Sequence, residues 1–82
     1  MKKNTIVKFD PQWIKNTLNV RTKLVHEKII GGDIHTSQFI YLGDLYIRGG
    51  KHGNCAVINT ETSKVITAFH TDYFVSITAD EL

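Results

Sequence analysis

The chain has 82 residues, with ten Lys plus Arg, eight Asp plus Glu, four His, one Pro and one Cys. At 41% hydrophobic residues and a net charge of +2, it is too apolar and too weakly charged for a disordered chain, and its length allows one domain. A single Cys excludes an internal disulfide framework, and no apolar run approaches the ~18 residues of a membrane-spanning helix. A soluble, cytoplasmic protein is therefore expected. Met1-Lys2-Lys3 looks like the start of a signal peptide, but Asp10-Pro11-Gln12 interrupts it before an apolar core can form.

In chain order, Thr5–Phe9 reads as a short edge strand. Asp10 as N-cap and Pro11 at the first helical position start a helix running to about Asn19, with Trp13, Ile14 and Leu18 on one face. A second helix is predicted over Thr22–Ile30, closed by Gly31-Gly32, where a positive φ is accessible. From Ser37 the period changes. Strands are predicted at Gln38–Leu42, Leu45–Arg48, Asn54–Asn59 and Lys64–His70, with turns at Gly43-Asp44 and Thr60–Ser63 and a Gly-rich loop at Gly49–Gly53. The tail from Tyr73 to Leu82 offers a fifth strand. The expected class is α+β: N-terminal helices packed on a four- to five-stranded antiparallel meander.

Register draws polar residues together. A four-residue loop at Thr60–Ser63 sets Asn59 opposite Lys64, and then Val57 opposite Ile66, Cys55 opposite Ala68 and Gly53 opposite His70. One rim of the sheet then gathers Arg48, Lys51, His52, His70, Thr71 and Tyr73. Between Ile47 and Thr71 the only acid is Glu61, in the opposite turn. The rim is thus more basic than the whole-chain charge suggests.

Such a rim matches the needs of RNA cleavage by the 2′-OH. A base takes the hydroxyl proton, an acid protonates the leaving 5′-oxygen, and a cation stabilises the phosphorane. Histidine titrates near neutrality and serves as acid or base. Lys and Arg hold phosphate oxygens, and Tyr stacks on a base. His70, His52 and His35 are the candidate catalytic residues. Arg48, Lys51, Thr71, Tyr73 and Lys28 are the candidate substrate-binding residues. The same residues also fit an ordinary solvated rim. His26 and Lys28 fit a solvated helix face, His35 loop capping, Trp13 a core anchor and Cys55 a core position. The histidine and cysteine spacings match no zinc-ligand pair, and Gly49–Gly53 lacks the P-loop spacing, so no metal or cofactor is expected.

The segment Cys55-Ala56-Val57-Ile58, a polar turn, and Val65-Ile66-Thr67-Ala68-Phe69-His70-Thr71-Asp72-Tyr73-Phe74 resembles the closing hairpin of the RelE-like and colicin-type (BECR fold) bacterial ribonuclease toxins. The resemblance covers Asn54–Phe74, about a quarter of the chain. It implies a catalytic role for His70, with Tyr73 or Phe74 as the terminal aromatic and Arg48 as the basic strand end. It implies a tRNA or ribosome-bound mRNA substrate and a cognate antitoxin or immunity protein as partner. The chain lacks the long basic helical hairpin of ribosome-dependent members. In tRNA-cleaving relatives, helical His and Lys residues join the sheet, which brings in His26, Lys28 or His35.

Two other functions suit the sequence. One is a non-enzymatic inhibitor or interaction module, such as an antitoxin, an immunity protein or a phage-encoded inhibitor, using the apolar strand Phe39–Leu42 as an edge. The other is a homodimeric nucleic-acid-binding protein without chemistry.

Overall fold

The computed structural model describes residues 2–45 and 53–77. The elements are β1 (Ile6–Phe9), α1 (Pro11–Thr17), α2 (Val20–Ile30), β2 (Phe39–Asp44), β3 (Cys55–Asn59), β4 (Val65–Ile66), a 3₁₀ turn (Thr71–Tyr73) and β5 (Phe74–Ser76). The strands form one antiparallel sheet in the order β4-β3-β2-β1-β5. The fold is α+β, with both helices on one face. No helix among the described residues is long and apolar enough to cross a membrane.

Local chemistry explains the helix ends. The Asp10 carboxylate accepts from the Gln12 amide at 2.9 Å, and Pro11 occupies a first-turn position that needs no N–H. The Asn19 side chain accepts from the Thr22 amide at 2.9 Å, and the Thr22 hydroxyl accepts from the Asn19 amide at 2.9 Å. This reciprocal box starts α2 two residues before the predicted Thr22. Gly31 closes α2 at φ 79°, the left-handed conformation expected of it.

β1 is an interior strand, not the edge strand predicted. It lies between β2 and β5, because the chain returns after the 3₁₀ turn and pairs Phe74 with Phe9. The Asp10 amide donates to the Tyr73 carbonyl at 2.8 Å and seals that junction.

Gly43 and Asp44 are not a turn but the end of β2. The pairing with β3 shifts between Tyr41 and Gly43, forming a bulge, and Gly43 takes φ 133°. The predicted strand Leu45–Arg48 falls on Leu45, which follows β2, and on residues outside those described.

The β3–β4 hairpin keeps the expected pairing only at its loop end. Its loop and first pairs are as expected: the Asn59 amide donates to the Lys64 carbonyl at 2.9 Å, and Val57 faces Ile66. After Ile66 the strand ends. Thr67 and Ala68 are exposed, and the next bridge joins Asn54 to His70, not Gly53 to His70. Three steps along β3 therefore match four along the returning chain. The extra residue drives Phe69 into the core, where it is 4% exposed. Its carbonyl takes the Cys55 amide at 3.0 Å, displacing the expected Cys55–Ala68 pair.

The core lies between the helices and one sheet face. Ile14, Ile30 and Ile34 meet Val7, Phe39 and Val57 there. Phe9 is its centre, stacking on Phe74 at 4.6 Å and meeting Phe39 and Phe69 edge-on at 5.6 and 5.2 Å. Burying each such ring stabilises the fold by roughly 1.5–3 kcal/mol.

A candidate active site at one rim of the sheet

His70 ends the returning chain and caps the 3₁₀ turn. Its Nδ1 accepts from the Asp72 amide at 3.1 Å. A neutral ring held this way carries its proton on Nε2. The Asp72 carboxylate lies 3.6 Å from the same nitrogen, so it attracts the ring once protonated. The side chain is 27% exposed.

Thr71 links this turn to β2. Its hydroxyl donates to Asp44 Oδ1 at 2.7 Å, with the Gly53 carbonyl 3.4 Å away. The buried Tyr41 hydroxyl donates to the same Asp44 oxygen. These hydrogen bonds, Tyr41 first and Thr71 second, hold the Asp44 carboxyl below the usual carboxylate range. Burial, reinforced by the bond to Asp44, pushes the Tyr41 hydroxyl up to about 12. Burial also raises the Cys55 thiol, which leaves it a poor nucleophile.

An aromatic strip runs from the rim to the helices. Tyr73 lies 5.8 Å from the His70 ring and stacks on Trp13 at 4.3 Å, nearly parallel at 16°. Trp13 meets His26 at 5.7 Å, and His26 stacks on Phe69 at 5.2 Å. His26 Nδ1 donates to the Thr22 carbonyl at 2.7 Å, which fixes its ring on α2. Trp13, Tyr73 and His26 are half-buried, so the strip keeps exposed ring surface.

Of the sequence candidates, the structure brings His70, Thr71 and Tyr73 together. Arg48, Lys51 and His52 lie outside the described residues. The chain leaves β2 and returns at this rim, however: the Leu45 amide donates to the Asn54 carbonyl at 2.8 Å, and Gly53 borders Thr71. His35 and Lys28 are elsewhere. His35 follows α2 in a loop fastened by Asp33, and Lys28 is in the last helical turn. That end of α2 meets β3 at Asn59, whose amide donates to the Ile30 carbonyl at 2.9 Å. His70 bridges Asn54, at the far end of the same strand, about 17 Å away at ~3.3 Å per residue.

Asp44 and Tyr41 are members of the rim that the sequence did not indicate. Three residues apart on a regular strand, they would point to opposite faces. The bulge between Tyr41 and Gly43 turns them to one side. No protein-family model matches the chain, and no curated protein or solved structure matches it significantly either.

Proposed function

We propose that the chain is a small metal-independent ribonuclease of the RelE-like or colicin-type toxin kind. It cleaves tRNA or ribosome-bound mRNA through attack of the 2′-OH. The observation that carries this reading is the placement of His70: a partly exposed imidazole, oriented by the Asp72 amide, beside a Tyr73–Trp13 stack.

His70 is the proton-transfer group. An imidazole can give or take a proton, so it can serve either half of the reaction. The backbone amide of Asp72 orients the ring by donating to Nδ1. The face of Tyr73 receives a base by stacking, a sequence-tolerant interaction suited to RNA. Asp44 is too weakly basic for proton transfer at neutral pH. It is a positioning residue that holds Thr71, and through Thr71 the turn carrying His70. The second proton-transfer group and the phosphate-binding cations are assigned to the sequence candidates His52, Arg48 and Lys51, which lie outside the described residues. A cognate antitoxin or immunity protein is the expected partner.

Incubation of the pure protein with total tRNA and with ribosomes in EDTA tests the reading. Discrete RNA fragments from wild type and none from His70→Ala are expected. Intact RNA in both substrates, or cleavage unchanged by His70→Ala, overturns it.

The runner-up is a non-enzymatic interaction module. The observation favouring it is the apolar sheet face away from the helices. A stoichiometric protein partner for a chain without nuclease activity would select that reading.

A further inference from the structure

The N-terminal segment brings a lysine to the side of the sheet on which His70 stands. Lys2 to Thr5 form a tight turn, the Thr5 amide donating to the Lys2 carbonyl at 3.3 Å. Asn4 takes φ 68°, and its amide donates to the Tyr41 carbonyl at 2.7 Å. The turn is thereby fastened to β2, and the Lys3 side chain lies across Gly43. A β-carbon added to Gly43 would stand 3.1 Å from Lys3 Cε, 3.8 Å from its Cγ and 3.9 Å from its Cδ. Glycine suits this place twice, through φ 133° and through the room that the lysine stem takes.

The strand pairing relates Lys3 to His70. Gly43 pairs with Ala56, which turns away from the core because its neighbours Cys55 and Val57 are buried in it. Asn54 precedes Ala56 by two residues and shares its side, and His70 bridges Asn54. Phe69, one step before His70, goes to the core instead. Gly43 and His70 are thus separated by two strand spacings and two residues, about 12 Å at ~4.8 Å per strand and ~3.3 Å per residue. Between them β3 contributes the methyl group of Ala56.

The acids at this rim are engaged elsewhere. Asp44 accepts from Tyr41 and Thr71, and Asp72 lies beside the His70 ring. Among the described residues, no carboxylate comes within ion-pair distance of Lys3. Its stem rests on the sheet while the exposed ammonium end reaches water. A side chain already laid against the protein loses less freedom when it binds a ligand.

We propose that Lys3 is a phosphate-binding residue of the His70 site. The inference rests on the ribonuclease reading and adds the path of the strand, which crosses the end of β2 and β3 between Lys3 and His70. Lys3 holds a phosphate neighbouring the scissile one. A compact ammonium charge accepts a phosphate whatever base is attached, so the contact adds affinity without sequence preference.

The probe is a labelled single-stranded RNA with 2′-O-methyl riboses, which 2′-OH attack cannot cleave. Its binding is followed by fluorescence anisotropy between about 50 and about 200 mM salt. Lys3→Gln should bind about fivefold to tenfold more weakly at the low-salt end. It should also reduce the slope of log K against log salt by about 0.7, the share of one phosphate contact on a single strand. Lys3→Arg should keep the wild-type slope. Lys64→Gln, exposed in the turn at the other end of β3, should keep it as well. With cleavable RNA, Lys3→Gln should raise KM by a similar factor while kcat stays within about twofold.

A slope unchanged by Lys3→Gln, or reduced equally by Lys64→Gln, overturns the proposal, and so does a wild type that does not bind the probe. Cleavage by wild type with the same KM in Lys3→Gln removes Lys3 and leaves the ribonuclease reading standing. The expected slopes with RNA left intact remove the ribonuclease reading and keep Lys3 as a phosphate contact.

Discussion

The Thr71 hydroxyl donates to the Asp44 carboxylate at 2.7 Å, across 27 positions of sequence. That bond fastens the end of β2 to the turn that presents His70. Thr71→Val keeps the side-chain shape and removes the bond. The expected cost is about 1 kcal/mol in urea unfolding, because an exposed carboxylate loses one hydrogen-bond donor and water can replace it. RNA cleavage should fall about tenfold without a change in its pH profile, because the turn loosens while His70 remains. Full cleavage by this variant would remove Thr71 and Asp44 from any positioning role.

The same network sets the pH limits of stability. Tyr41 titrates near 12 in the folded chain and near 10 when unfolded, so its contribution is complete below pH 10. It is lost as pH rises from about 10 to about 12, because only the unfolded chain ionises easily in that range. Tyr41→Phe should flatten the alkaline limb of a stability–pH curve. Asp44 acts at the other end. Its folded value is depressed, so its contribution is present above about pH 4 and lost as pH falls through the folded value. Asp44→Asn should flatten the acid limb. Unchanged limbs in both variants would contradict the network.

Asn59 holds the opposite end of the molecule. It is 2% exposed; its amide nitrogen donates to the Ile30 carbonyl at 2.9 Å, and its oxygen accepts from the Glu61 amide at 2.9 Å. Asn59→Ala removes both bonds and strands a buried carbonyl at the end of α2. A loss of about 2–3 kcal/mol in urea unfolding is expected. A loss below about 0.5 kcal/mol would mean that water replaces the clasp at no cost.

Much of the architecture was legible because it rests on local signals. Asp10-Pro11 and Gly31 mark helix ends through their own backbone chemistry. The tight loop at Thr60–Ser63 fixes the pairing of Val57 with Ile66. What failed depends on distant contacts. Nothing near Ile6–Phe9 shows that β5 will pair beside it, so β1 read as an edge. The bulges at Gly43 and before Phe69 each shift register by one residue, and a period-two pattern does not foresee where such a shift is tolerated. The second bulge moved His70 from Gly53 to Asn54 but left it at the rim, because a slip of one residue changes the partner and not the end of the strand. The first concealed Asp44. His35 joined the candidates by its residue type and by the resemblance to tRNA-cleaving toxins, but it follows α2 in a loop fastened by Asp33, at the other end of β3 from His70.

Phe9 joins the sheet to the helices through Trp13, Phe39, Phe69 and Phe74. Phe9→Ala should cost about 3–5 kcal/mol. A domain of this size has roughly 4–12 kcal/mol in total. The variant should show a collapsed near-ultraviolet circular dichroism signal from Trp13 and a sharply lower melting temperature. Retention of the wild-type signal would place the centre of the core elsewhere.

The central claim is that His70 drives 2′-OH attack, and the chemistry of the product ends reads it out. Purified protein is incubated with tRNA in EDTA, and the fragments are analysed by mass spectrometry. New 5′ fragments ending in a 2′,3′-cyclic phosphate, with matching 5′-hydroxyl ends downstream, are predicted for wild type and should be absent for His70→Ala. Intact tRNA, fragments ending in 3′-hydroxyl and 5′-phosphate, or the same cyclic ends from His70→Ala would contradict it.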